Sequence, residues 1–349
     1  MTDTKSFCFI MNLRLFDNTQ TTLLSGGDND LSPEMKTFYS DYLIDLVGPE
    51  LIHDRFAQMH DIPKNGGKTI EFRKYTPLKK ALTPLTEGVT PSGNKLDVST
   101  IEATVKQYGD YIELSDFLLL TAIDNNLVEA TKLLANQAEL TLDTITREVI
   151  NGGTNVLYAP AIDASGTETE KTGRSQITAD CKLTTKLIFK AVAVLKTMNA
   201  KPVSAIGAFG GIIHPMVAYD LMADAKKQNV WLDVYKYANP ENILNGEIGK
   251  IGGVRFFETS EAKIWEDEGE SSVSVFSTLI IGANAYGTTK ITGGGLENII
   301  KQLGSAGTSD PLNQRATTGW KATKVTERLV EEYMIRIESC SEFKEQAAN

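Results

Sequence analysis

Three histidines, three cysteines and a few glycine-rich turns are the residues here whose types could carry chemistry. His53 and His60 lie seven apart with no His-Glu-x-x-His pattern, so a zinc site is not expected. His214 precedes Pro215 at a helix start, where it is expected to close a strand or meet backbone rather than act as a base. Cys8, Cys181 and Cys340 are odd in number and far apart, so neither a disulfide framework nor a thiolate metal site is expected. Gly66-Gly67-Lys68-Thr69 resembles the end of a phosphate-binding loop, but Ile62 stands where the loop needs its first glycine, and a strand pattern follows. Gly246, Gly249, Gly252 and Gly253 also precede a strand, so positive φ is their expected purpose; Gly293-Gly294-Gly295 reads as a loop. No Gly-x-Ser-x-Gly elbow occurs, and Glu266-Asp267-Glu268 with Glu270 reads as a solvated loop. Trp231, Trp265 and Trp320 each read equally as core packing or as a buried interface anchor. No catalytic group, cofactor or metal is expected, and the chain is read as not an enzyme.

Composition narrows the class. The chain has 349 residues, 41% hydrophobic and 23% charged, which is an ordinary folded composition. That exceeds the roughly 250–300 residues at which single cores stop growing, so one oversized or two interleaved domains are expected. The net charge is −10, and the basic clusters are short (Lys79-Lys80, Lys226-Lys227), which argues against a groove that reads nucleic acid. No apolar run approaches the roughly 18–20 residues of a membrane span. Phe7–Met11 is too short for a signal core and is soon interrupted by Asn12 and Arg14, so folding in a cytoplasm is expected. Met11 is a second candidate start, because the text from there reads as a natural N-terminus.

The elements that would position any site follow from periodicity. Residues 1–31 read as an extended arm. Ser32-Pro33 opens a helix with Met35, Phe38, Tyr39, Tyr42, Leu43, Leu46 and Val47 on one face, stopped by Gly48-Pro49. A weaker helical segment is read over Glu50–Met59. Lys68–Tyr75 alternates as a strand after an Asn65-Gly66-Gly67 turn, and Leu96–Leu114 reads as its return, broken at Gly109. Between them Pro77–Lys95 forms a proline- and glycine-rich tip. Such a hairpin is marginal alone in water and must lie on something, a neighbouring subunit included.

A long helix is predicted over about 124–151, capped by Asp124 and stopped at Asn151-Gly152-Gly153, a rod of roughly 40 Å. Its stripe is Leu127, Ala130, Leu134, Ala138, Leu142, Ile145 and Val149, with Glu129–Lys132 and Asp143–Arg147 on the solvent face. A loop over 160–178, a helix over about 180–198, strand-like runs at 206–213, 247–258 and 273–281, and a short helix from His214 to Met222 complete the middle. Val325–Ile337 is read as strand. The order is α+β rather than a βαβ series.

Several long strings resemble one family: EMKTFY (34–39), IPKNGGKTIEFRKYTPL (62–78), LTEGVTP (85–91), VKQYGDYIELSD (105–116), LTLDTITREVINGGTNV (140–156), GKIGGVRFFETSEAKI (249–264) and GSAGTSDPLNQRATTGWKA (304–322). Over about Leu31–Glu338 the chain resembles tailed-phage major capsid proteins of the Hong Kong 97-like fold, in the N-four-type coat protein branch. The resemblance implies an N-arm and first helices at 1–63, an extended E-loop hairpin at 64–115, an axial domain at 180–290, and a discontinuous peripheral domain at 116–179 and 291–349 carrying the long spine helix.

By the same resemblance the chain is a coat protein assembling into pentamers and hexamers of an icosahedral head around double-stranded DNA, with an encapsulin-like compartment shell or another virion structural protein as the alternative. The implied partners are further copies of itself, a separate scaffolding protein, a portal and a decoration protein, with packaged DNA nearby but not read by sequence, and no membrane. The implied location is the virion capsid, assembled in the host bacterial cytoplasm. Residues near the E-loop tip expected to touch a neighbour are Pro77, Lys79, Lys80, Pro84, Glu87 and Pro91, with Glu71 and Arg73 on the exposed strand face. Asp310, Asn313, Arg315 and Trp320 are expected to fix the peripheral domain or its contacts. No motif assigns Lys79 or Lys80 to a crosslink.

Overall fold

A computed structural model describes residues 52–76, 78–85, 87–90, 93–121, 126–163, 165–228, 232–233, 246–305 and 310–343. The arm, the helix read from Ser32, Cys8, Asp124 and Trp231 lie outside the described residues.

The chain starts with strands β1 (Gln58–Ile62), β2 (Thr69–Tyr75), β3 (Val98–Thr104) and β4 (Lys106–Ser115), then helices α1 (Asp116–Thr121) and α2 (Asn126–Asn151). Three short strands follow: β5 (Val156–Tyr158), β6 (Ala161–Ile162) and β7 (Glu168–Thr169). Next come α3 (Thr185–Thr197), β8 (Phe209–Ile213), α4 (Pro215–Gln228), β9 (Leu232–Asp233), β10 (Glu247–Ile251) and β11 (Val254–Glu258). The last strands are β12 (Ile264–Trp265), β13 (Val275–Ile281), β14 (Tyr286–Ile291), β15 (Glu297–Lys301), β16 (Arg315–Arg328) and β17 (Met334–Ser339).

Eight strands form one mixed sheet in the order β5-β17-β13-β8-β11-β10-β9, with β12 beside β13. Its central strands β8, β13 and β17 are buried along their whole length; β8 and β13 accordingly read as largely apolar runs, whereas β17 buries Arg336 and Glu338 among its apolar residues. On one face α3 and α4 set Ile188, Leu195, Val217 and Leu221 against Phe209, Phe256, Phe276 and Ile280. On the other, Ile52, Phe56 and Ile150 meet Ile212, Phe257, Leu279 and Tyr286. Thr184 caps α3 by accepting from the Leu187 N–H. The turn between β10 and β11 is Gly252-Gly253, both at positive φ (58° and 91°), the two-residue geometry that a tight hairpin needs.

The second sheet, β1-β14-β16-β15 with β4 also on β16, carries α2. Leu134 and Ala138 pack on Trp320 and Ala322, joined by Tyr108, Ile112 and Leu142.

Several expectations change. Residues 53–56 form a turn rather than a helix, and 58–62 is β1, parallel to β14. Phe56 and Ile52 are held by the core beneath them, so local helical periodicity loses to tertiary packing. The return strand breaks at Val105, not Gly109. Gly109 lies inside β4, where a Cβ would sit 2.6 Å from the Trp320 carbonyl oxygen, so glycine serves strand approach there rather than a bend. Thus 69–104 is a separate two-stranded hairpin, while 106–115 pairs with 315–324 of β16. Val325–Ile337 is two strands around a short 3₁₀ turn at Glu331–Tyr333, and α4 runs on to Gln228.

The solvent-face pairing of Asp143 with Arg147 is also overturned. Both are buried: Asp143 holds His53, and Arg147 reaches Glu148 and Glu261. Glu129–Lys132 does pair, at 3.1 Å.

Candidate assembly interface

The hairpin β2–β3 projects from the second sheet on strands whose alternation sets one face inward and one outward. Ile70, Phe72, Ile101 and Ala103 share the inner face; Glu71, Arg73, Tyr75 and, opposite them, Val98, Thr100 and Glu102 share the outer. At the root, Phe72 meets the His60 ring edge-on at 5.8 Å, and the Val105 N–H donates to the Lys68 carbonyl at 2.8 Å. A cleft of about 460 Å³ remains there, between Phe72, Ile101, His60 and Leu329. Lys74 lies 3.8 Å from Glu332, and Arg73 lies 3.8 Å from Glu71 on the outer face. At the far end Thr76 closes the ladder, its N–H on the Asp97 carbonyl and its hydroxyl on the Asp97 carboxylate.

Between Thr76 and β3 the described residues form no helix or strand. Lys79, Lys80, Pro84 and Glu87 are exposed in this tip; Pro77 and Pro91 lie outside the described residues. The tip also exposes aliphatic side chains that residue-by-residue reading passed over. Leu82 is 82% exposed, Leu85 77% and Leu96 74%, with Leu78 and Val89 close behind. The signal was present as leucines and valine among prolines and glycines, a spacing without a period. Exposed apolar residues gathered on a projecting arm are a candidate contact surface.

The second predicted cluster sits elsewhere. Asp310 is buried and accepts the Arg315 N–H at 2.9 Å, while Asn313 adopts φ 54° in the intervening turn. Arg315 reaches Glu113 on β4 at 3.3 Å. Trp320 is a core residue whose indole N–H donates to Gln137 Oε1 at 3.2 Å. Gln137 in turn donates to Asp110 Oδ2 at 2.8 Å, and this bond, with the Tyr111 N–H, holds the Asp110 carboxyl below its usual range. One side-chain chain thereby ties β16, α2 and β4. The fourteen residues of β16 separate the Asp310–Arg315 turn from the hairpin root near Leu329, so the two clusters are not brought together. Beside the turn, the Asp116 N–H donates to the Gln314 carbonyl, which sets α1 there with Phe117 and Leu120 exposed next to exposed Leu312. Sequence reading missed this second apolar patch, because α1 is too short to show a period.

The residues considered for chemistry are engaged structurally. His214 is buried and its Nδ1 accepts the Met216 N–H at 3.3 Å, as expected of a helix start; burial lowers its pKa to about 4. His53 Nδ1 lies 2.6 Å from Asp143, and the Tyr286 hydroxyl donates to the His53 carbonyl. Asp54 accepts from Thr146 and meets Lys324, so residues 53–54 fasten the start of the described chain to α2 and β16. Cys181 and Cys340 are buried free thiols, and burial raises Cys340 to about 11. Trp265 is half-buried under the Arg174 guanidinium, 3.7 Å from the ring centre. Among the described residues no group of His, Cys, Asp and Glu is placed to hold a metal ion, and no helix is long and apolar enough to cross a membrane.

With this geometry in hand, solved structures of similar shape define the class: the chain has the fold of phage major capsid proteins of the Hong Kong 97-like type. It matches the capsid of Ralstonia phage GP4 with a TM-score of 0.71 and 15% identity, over 94% of this chain and 100% of that one. It matches the capsid of cyanophage P-SCSP1u with a TM-score of 0.63 and 12% identity, over 96% and 100%. The SrpI encapsulin complex of Synechococcus elongatus PCC 7942 matches with a TM-score of 0.54 and 9% identity, over 90% and 96%. No protein-family model and no curated protein sequence matches the chain.

Proposed function

We propose that this chain is a phage major capsid protein, whose copies associate through the projecting hairpin and close into an icosahedral shell of pentamers and hexamers around double-stranded DNA. The observation that carries this reading is the hairpin itself. A two-stranded ribbon is marginal in water, and this one ends in a tip with Leu82, Leu85 and Leu96 exposed. A neighbour that covers the tip removes that apolar area from water, so the ribbon is completed by assembly. The capsid folds that the chain matches support the same conclusion. In this reading the hairpin serves as E-loop, α2 as spine helix under the peripheral sheet, and the eight-stranded sheet with α3 and α4 as the axial core, which takes β5 and β17 out of the stretches 116–179 and 291–349 first assigned to the peripheral domain. Asp310, Asn313 and Arg315 shape a turn at the opposite end of β16, beside the Phe117–Leu120–Leu312 patch, where a second set of neighbours would meet.

The function is mechanical, not catalytic. The shell would be the virion capsid, built in the host cytoplasm with a scaffolding protein and a portal, and open to a decoration protein. The net charge of −10 suits a wall along which DNA slides. An encapsulin-like compartment is the second reading, favoured by the encapsulin match. Sedimentation velocity with negative-stain imaging tests the proposal, on the chain expressed with and without its neighbouring genes. Closed shells, tubes or ring-shaped capsomers are expected. A folded monomer that never assembles would overturn it, and shells that load a protein cargo in place of DNA would favour the compartment.

A further inference from the structure

We infer that the tip of the projecting hairpin is the cationic half of a charge-complementary joint, seated on an acidic surface of the next copy of this chain. The inference rests on the coat-protein reading and says what selects its main contact.

The tip from Pro77 to Lys95 carries three lysines, Lys79, Lys80 and Lys95, against one acid, Glu87, within a chain whose net charge is −10, while the ladder on either side is close to balanced. The tip that reaches away from the body is therefore positive and the chain as a whole is negative. Lys79, Lys80 and Lys95 are exposed and pair with no acid among the described residues. Acidic residues gather in two loops of the body, 163–171 and 261–270, which together hold eight acidic and two basic residues; Lys186, Lys190 and Arg174 from outside them meet Glu168, Glu170 and Glu268. Those loops are neighbours: Lys171 lies 3.9 Å from Glu270, Arg174 bonds Glu268, and the Glu270 N–H donates to the Ile177 carbonyl. Glu170, Glu266 and Glu270 remain exposed.

Nucleic acid is the other polyanion such an arm could meet. The tip argues against it, because Leu78, Leu82, Leu85, Val89 and Leu96 interleave with the lysines. A phosphate backbone offers nothing to aliphatic side chains, whereas a protein surface covers them while pairing the charges. Complementary charge of this kind fixes which face is docked and speeds encounter more than it adds affinity.

The test uses full-length chain and three variants: K79E/K80E/K95E, its neutral counterpart K79Q/K80Q/K95Q, and the charge swap that adds E170K/E266K/E270K to the first. Thermal melting of each verifies folding, and sedimentation reads the assembled fraction. The reversal is expected to reduce assembly at least about tenfold, the neutral variant to fall between, and the swap to recover most of the loss. Wild-type assembly is expected to weaken as salt rises from about 0.1 M to 1 M, where the screening length drops from about 10 Å to 3 Å. Normal shells from the reversal would overturn the inference and leave the coat reading standing. So would a reversal that abolishes assembly and is not rescued by the swap, or one that assembles normally while losing DNA retention in a gel. A wild-type chain that forms no assembly under any of these conditions would sink the coat reading and this inference with it.

Discussion

At the scale of single residues, the buried ionic groups decide more than the exposed ones. Glu338 is fully buried and takes charge-assisted bonds from Arg174 at 2.9 Å and from Arg336 at 2.8 Å. Those bonds join β17 to the loop before α3, and they raise the Arg174 pKa still further. Replacing Glu338 with Gln leaves two guanidinium groups short of their counter-charge, so the unassembled subunit should lose about 3–5 kcal/mol in urea unfolding. A loss under about 1 kcal/mol would show that water already serves the arginines. His214 gives a pH prediction. Its folded pKa lies near 4, below the unfolded value of about 6.5, so the unfolded state binds the proton first. The His214 contribution is present above about pH 6.5 and is lost as the pH falls towards 4. Melting temperatures of wild type and His214→Asn should therefore converge on acidification, and parallel curves would contradict the assignment.

At the scale of elements, the hairpin and the α2 platform make opposite predictions. Deleting residues 79–93 removes only irregular tip, beyond the ladder that Thr76 and Asp97 close. That variant should melt within a few degrees of wild type and form no closed shells; normal shells by negative stain would refute the hairpin's role. Gly109→Val acts the other way. A Cβ there meets the Trp320 carbonyl at 2.6 Å, so β4 must leave β16 or the strand must shift. A loss of stability of about 1–3 kcal/mol is expected, together with reduced yield of folded subunit. Chemical denaturation of the purified variant would check this.

At the scale of the whole molecule, the exposed aliphatic tip and exposed Phe117, Leu120 and Leu312 would, in the proposed reading, give each copy two places to meet its neighbours. Assembly that covers both should stabilise the subunit by mass action, because neighbours bind the folded form alone. The melting temperature of assembled material should exceed that of unassembled subunits and rise with protein concentration. Scanning calorimetry over a hundredfold range of concentration would show this, and a concentration-independent transition would count against assembly-linked stability.

Local pattern by itself determined α2, α3, β2, β8 and β13, because each carries a strong period or an unbroken apolar run that only one kind of element can bury. It also determined the Gly252-Gly253 turn and the backbone contact of His214, since positive φ and a helix start are local matters. The long strings that resemble capsid proteins pointed to the fold, and solved structures of 12–15% identity match it. Only the tertiary structure decided that residues 53–56 turn instead of coiling, that 106–115 belongs to β16 and not to the hairpin, and that Asp143 and Arg147 face inward. Those outcomes depend on partners far along the chain: His53 with Asp143, Asp54 with Lys324, Gly109 with Trp320. Spacing within a window carries no information about a group that arrives from about a hundred or more residues away, and burial there reverses the meaning of a charged pair.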